Sequence, residues 1–164
     1  MANMDGVRRG RTRFNANGKD LNRNWDKPAD LILAPENHAI ENFIRDLITK
    51  GLKPDLAIDF HNDAEGNSQF ASPDGNSKEY LGHMARFEEI LKEHTWFTEG
   101  SKGREFRNPG TFGDGLLERF GIEAFIFELN ADWIAGRNKV PDSGDWLAMG
   151  SDLLKVFMRY FEGL

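Results

Sequence analysis

Apolar residues recur at helical spacing in "PENHAIENFIRDLITKG", residues 35–51, where Ile40, Phe43, Ile44, Leu47 and Ile48 form one stripe. Pro35 suits the first helical turn and Gly51 the residue past the end. The period then drops to two in "PDLAIDFH", residues 54–61. Leu56, Ile58 and Phe60 alternate with Ala57, Asp59 and His61, which predicts a strand with His61 at its C-terminal end. Residues 62–77 hold many Asn, Ser, Gly and Asp and are expected to enclose a short strand near Phe70. A second helix is expected over 78–94, with Leu81, Met84, Ile90 and Leu91 inward. Residues 98–115 are glycine-rich and read as a long loop, followed by a short helix, "GLLERFG". In "IEAFIFELN", residues 122–130, the unbroken apolar run 124–127 predicts a strand buried on both faces. Ser143 is placed to cap a last helix, with Trp146, Leu147, Leu153, Leu154, Phe157 and Phe161 inward.

The order helix–strand–helix–helix–strand–helix predicts an α/β fold with helices packed on a largely parallel sheet. In such sheets ligands gather at the carboxyl ends of the strands, where His61 and Glu128 both fall. The 164 residues are the size of one ordinary domain, expected to span 1–164, and no internal repeat or low-complexity linker interrupts them. Residues 1–30 are polar and read as either ordered loop or disorder.

Composition narrows the classes. The chain is 39% hydrophobic and 29% charged, as in soluble globular proteins. It has no cysteine, which excludes disulfides, thiolate metal sites and cysteine nucleophiles. A net charge of −6 argues against a nucleic-acid backbone or an anionic membrane as partner. No apolar run approaches the roughly 20 residues of a membrane span, and no signal-peptide pattern is visible.

Three features carry chemistry. Glu128 follows "AFIF" in a predicted core strand, where an ionised carboxylate is costly. It reads either as a glutamate turned outward or paired with an arginine, or as a general base of raised pKa. His61, in "DFHND", is either hydrogen-bonded at a sheet edge or a metal ligand; Asp63 and Glu65 nearby add only a weak metal signal. His38, His83 and His94 lie in predicted helices without ligand spacing and read as surface or packing residues. Finally, "RFNANGKDLNRNWD", residues 13–26, packs two arginines, four asparagines and two aspartates around one glycine. Arg13 and Arg23 beside amide side chains make an anion site, or else belong to a solvated basic loop with Arg8, Arg9 and Arg11.

"NMDG" followed by "RFNANGKDLNRNWD" resembles the zinc metallocarboxypeptidases of the carboxypeptidase A/B type, and "DFH" and "FIFELN" fall in the order of that family's later motifs. The resemblance covers essentially the whole chain, with motifs at 3–26, 55–61 and 122–130. It implies a hydrolase that cuts a peptide bond near a substrate C-terminus, using Zn2+. By resemblance, Asn22 and Arg23 grip the substrate carboxylate and Arg13 stabilises the oxyanion. His61 is the third zinc ligand, Glu128 the base that activates the zinc-bound water, and Asp20 a carboxylate behind another zinc histidine.

Two departures qualify this. The family's His-x-x-Glu motif, which supplies the other two zinc ligands, is absent, and a catalytic zinc takes three protein ligands plus water. The expectation is that Met1 is an internal methionine and that this chain is the C-terminal part of a longer enzyme, inactive alone. The N-terminal half of the family's mixed sheet is then missing, and the strand at 55–61 becomes an exposed edge inviting a second copy. The family's substrate-binding tyrosine is also absent from "EFRNPGTFGDG", which offers Phe106 and Phe112; Arg104 and Arg107 read as surface residues first, and as contacts to an acidic substrate second. Two other readings stand beside the peptidase: an amide hydrolase of the same fold acting on an N-acyl amino acid, and a zinc-free domain that only binds a carboxylate.

Overall fold

The computed structural model describes residues 3–10, 13–70, 78–100 and 110–163. The elements run α1 (Met4–Arg8), α2 (Pro35–Thr49), β1 (Leu56–Asp63), β2 (Asn67–Phe70), α3 (Lys78–His94), α4 (Phe112–Phe120), β3 (Glu123–Asn130), a 3-10 turn (Ala135–Arg137) and α5 (Ser143–Phe161). The expected helix-flanked mixed sheet is present. Its three strands lie in the order β1-β3-β2. β2 is antiparallel to β3, with Asn67 opposite Glu128 and Phe70 opposite Phe125, and the sheet is parallel only in part. The central position of β3 explains its unbroken apolar run: residues 124–127 are buried whichever face they point to.

The chain divides into two compact units. One comprises Met1–Ala57 and Asn108–Ala124, the other Ile58–Arg107 and Phe125–Leu164.

In the first unit, Trp25, Ile44, Leu116, Ile122 and Ala124 form the core, with Ile40, Ile48, Ala57, Phe112 and Phe120 packed around them. The α2 stripe is rotated from the expected one. Asn37, Glu41 and Ile44 are the fully buried positions, and Phe43 is 64% exposed. The reason is that α2 turns polar groups inward to hold polar partners. Glu41 accepts from Arg45 (3.0 Å), from the Ala29 N–H (2.8 Å) and from Arg119. Burial alone pushes the Glu41 carboxyl up, but these hydrogen bonds and the Arg119 charge outweigh it and hold it below its usual value. α4 starts at Phe112 rather than near Gly115, because a glycine that suggests a loop serves here as a contact. A Cβ on Gly115 would collide with the Trp25 Cβ. The helix ends as expected at Gly121, which is left-handed at φ 61°.

In the second unit, α3 packs on α5. Tyr80, Met84, Phe87 and Leu91 face Met149, Leu153, Val156 and Tyr160 as the buried stripes of the two helices. Phe87 centres this core, 5.1 Å from the Phe125 ring and 5.3 Å from that of Tyr160. Of the residues expected inward on α5, Leu153 is buried, but Leu147 and Leu154 are 74% and 65% exposed. α5 carries apolar residues round most of its circumference, so periodicity could not choose the packed face. Its cap is Asp142, one residue before the expected Ser143. Asp142 accepts from Gly144 N–H (2.8 Å) and Asp145 N–H (3.1 Å), and Asp145 accepts in return from Asp142 N–H at 2.8 Å. Asp145 also pairs with Arg137 (2.6 Å) and Lys139 (2.9 Å). The Asp142 N–H, then Lys139, lead in holding its carboxyl down at about 2 against the effect of burial.

Two stability predictions follow from these polar anchors. Glu41→Ala leaves Arg119 without its carboxylate and is expected to cost about 3 kcal/mol, read as a lower denaturant midpoint at unchanged slope. A carboxyl with a lowered folded pKa contributes stability above its unfolded pKa and loses it as pH falls through the folded value. Asp145 therefore stabilises the protein fully above about pH 4, and this contribution declines toward pH 2. Denaturant unfolding from pH 7 to pH 2 should show a shallower acid limb for Asp145→Asn than for the parent.

Candidate functional site

The asparagine-rich segment at 13–26 lies in the first unit, and most of its amides hold the chain itself. Phe14 and Asp20 form an isolated antiparallel bridge closing a tight turn. Asn15, only 1% exposed, fills that turn. Its Oδ1 accepts from Asn17 N–H (3.0 Å) and Lys19 N–H (2.9 Å), and its Nδ2 donates to Leu33 O and Glu36 Oε2, both 2.9 Å. Asn17 donates to Ile32 O at 2.7 Å, and Asn24 accepts from Lys19. Asn22 Oδ1 accepts from Phe112 N–H at 2.8 Å, tying the segment to the first turn of α4. Trp25 anchors it from below, donating from Nε1 to Leu21 O (2.8 Å) and meeting Phe112 edge-on at 4.9 Å.

The arginines differ. Arg13 pairs with Asp20, Nε to Oδ2 at 2.6 Å, and Asp20 also accepts from Asn22 N–H at 3.0 Å. Arg13 and Asp20 thus come together, with Asn22 beside them. Arg23 is half-buried and donates to Asn22 O at 2.6 Å; among the described residues no carboxylate pairs with it. Arg23 instead lines a cleft of about 140 Å3 with Lys19, Lys27, Asp30 and Asn37. The Leu33 and Ile32 N–H groups, and to a smaller degree the Lys19 charge, hold the Asp30 carboxyl below its usual value, so it stays ionised. Lys19, Lys27 and Asn37 were not among the expected site residues. Asn37 had one legible signal, an amide in phase with Glu41 and Ile44 on a helix.

His61 and Glu128 lie in the second unit. β1 continues two residues beyond His61, to Asp63, so His61 is not at the strand's end. Asp63 closes the strand by accepting from Glu65 N–H (2.9 Å) and Gly66 N–H (2.5 Å). His61 Nε2 lies 3.0 Å from Asp59 Oδ2, and its Nδ1 lies 3.8 Å from Glu128 Oε1. The histidine therefore stands between two carboxylates.

The zinc expectation is corrected here. Among the described residues no three His, Cys, Asp or Glu side chains are grouped to hold a metal ion. His61 has Asp59 at one ring nitrogen and Glu128 near the other, and the resemblance offered no further ligand from this chain. The described residues do not fit a catalytic zinc, and the zinc and metal-binding expectations fall with it. Arg104, Phe106 and Arg107 lie outside the described residues. No helix among the described residues is long and apolar enough to cross a membrane.

No protein-family model matches the sequence, and no curated protein matches it. Solved structures do match. The metallo-carboxypeptidase from Burkholderia cenocepacia aligns at TM-score 0.82 and 20% identity, over 99% of this chain and 43% of that one. A metallo-carboxypeptidase from Pseudomonas aeruginosa, in complex with (2-guanidinoethylmercapto)succinic acid, aligns at TM-score 0.76 and 21% identity, over 98% and 44%. The murein-tripeptide amidase MpaA from Escherichia coli O157 aligns at TM-score 0.57 and 18% identity, over 94% and 65%. At these identities the likeness shows the fold, and the chain has a carboxypeptidase-like fold. It spans less than half the length of the two metallo-carboxypeptidases.

The four hydrogen bonds of Asn15 yield a prediction. Asn15→Ala strands two backbone N–H groups and is expected to cost about 2–3 kcal/mol. Asn17→Ala, at an exposed position, should cost about 0.5 kcal/mol. Parallel denaturant titrations of the two variants check the ordering.

Proposed function

We propose that this chain is the carboxylate-recognising portion of a peptidase-type hydrolase of carboxypeptidase-like fold, and that alone it binds a substrate's C-terminal end without cleaving it. The observation that carries the reading is Arg23, a half-buried guanidinium lining a cleft with no carboxylate partner among the described residues. A guanidinium held in that way is matched by a carboxylate, which it grips through two parallel bonds. Asn22 supports it, its own amide fixed on the N–H of Phe112. Arg13, steadied by Asp20, is assigned to the developing oxyanion, and Glu128 beside His61 to proton transfer, in the complete enzyme. No hydrolytic step is assigned to this chain by itself.

The ligand is a peptide or an acylated amino acid with a free carboxylate. The second reading, a zinc-free domain that only binds carboxylates, rests on the described residues' grouping no three metal-ligating side chains. β1, an edge strand with Phe60 51% exposed, is proposed to pair with a second copy, which light scattering of the purified chain would show as a dimer mass.

Arg23→Gln is expected to weaken binding of N-acetylalanine about tenfold, as loss of a charge-assisted pair should, by calorimetric titration. Unchanged affinity would remove the carboxylate role from Arg23. Release of free alanine by the chain alone would contradict the proposal that it does not cleave.

A further inference from the structure

Lys27, Pro28, Ala29 and Asp30 form one continuous stretch of the Arg23 cleft's lining, and none of them belongs to a helix or strand. Backbone without a ladder of its own must find its hydrogen bonds elsewhere. Here a single buried ion pair supplies them. Arg119, on α4, donates from Nη1 to Lys27 O at 2.9 Å and to Trp25 O at 3.1 Å, and from Nη2 to Glu41. Glu41, on α2 and 3% exposed, accepts from the Ala29 N–H at 2.8 Å. Neither Arg119 nor Glu41 lines the cleft itself. The Arg119 guanidinium lies over the Phe120 ring, 4.9 Å from its centroid, which restrains it further. Arg45 supplies a contrast within the same cluster. It also pairs with Glu41, at 3.0 Å, and lies 5.0 Å over the same ring. Among the described residues, its hydrogen bond goes to Glu41 and not to the stretch 27–30.

We propose that Arg119 is a positioning residue for carboxylate binding: with Glu41 it holds residues 27–30 in place, so that the cleft meets its ligand already formed. This rests on the carboxylate role proposed for Arg23 and deepens it. The residue type fits the task. A guanidinium presents its N–H groups in a rigid planar fork, and one such fork here serves two carbonyls and a carboxylate. An ammonium is a point charge on a flexible stem and does not reproduce that set. Without the tether, a ligand has to order the stretch as it binds, and that ordering lowers affinity. The loss then appears in binding by the folded chain, where a role confined to stability would leave affinity untouched.

The test is calorimetric titration of folded variants with N-acetylalanine, well below their thermal transitions. Glu41→Leu combined with Arg119→Leu removes the pair without leaving a buried charge. It should bind about fivefold weaker than the unmodified chain. Arg119→Lys keeps a charge beside Glu41 and should bind about threefold weaker, which decides the matter if the double variant does not fold. Arg45→Gln should bind as the unmodified chain does, even if its thermal transition falls. Unchanged affinity in the folded double variant, or in Arg119→Lys, overturns the inference and leaves the carboxylate reading standing. An equal loss in Arg45→Gln also overturns it, because the effect then follows from loosening around Glu41 and not from the tether. No binding by the unmodified chain overturns the carboxylate reading, and this inference with it.

Discussion

The burial of Trp25 is the constraint on which the first unit and its candidate site depend. The indole is nearly solvent-free, seated against Ile44, Leu116, Ile122 and Ala124. Burying a side chain of this size is worth about 3–5 kcal/mol, enough to fix a segment that is otherwise polar. The backbone on either side is then tied down. Trp25 N–H donates to Gly110 O (3.0 Å), Trp25 O accepts from Arg119 (3.1 Å), and Gly115 is bare so that α4 can approach the Trp25 backbone and Cβ. Arg23 and Asn22 lie two and three residues away. Their position follows from a hydrophobic anchor, and the many amides around them keep the intervening turns closed.

This division of labour explains how much was legible in the sequence. Long elements with one clear period were visible: α2, α3 and β3 lie where their apolar patterns placed them. The packed face was less visible wherever polar groups are buried or apolar groups cover two faces. Glu41 sits inward on α2 because Arg119 meets it there, and hydrophobic periodicity does not register a buried ion pair. Leu147 and Leu154 fit an inward stripe as well as Met149 and Val156 do, and only contact with α3 separates them. Gly115 read as loop because a glycine's reason for being small lies in a residue ninety positions away.

The site was legible unevenly. The crowding of amides and guanidiniums at 13–26 did signal a special segment, but pattern could not say which side chains are spent internally. The structure shows Asn15, Asn17 and Asn24 committed to their own loop, Arg13 to Asp20, and Arg23 to a cleft. Lys19 and Lys27 join that cleft through turns that no periodicity describes. For His61 the residue type suggested a metal, but the structure sets Asp59 at one ring nitrogen and Glu128 near the other. Zinc was an inference from resemblance, and among the described residues the ligand set to hold it is not assembled. What remains is a carboxypeptidase-like fold with an arginine-lined cleft in one unit and a carboxylate-flanked histidine in the other.

The central claim is that the Arg23 guanidinium receives a carboxylate. The most direct measurement is a side-chain NMR titration of the arginine Nε–H resonances with N-acetylalanine and, separately, with its methyl ester. The account predicts one saturable Nε–H shift with the acid, absent with the ester and missing from the spectrum of Arg23→Lys. The same shifts with acid and ester, or a response confined to other arginines, would contradict it.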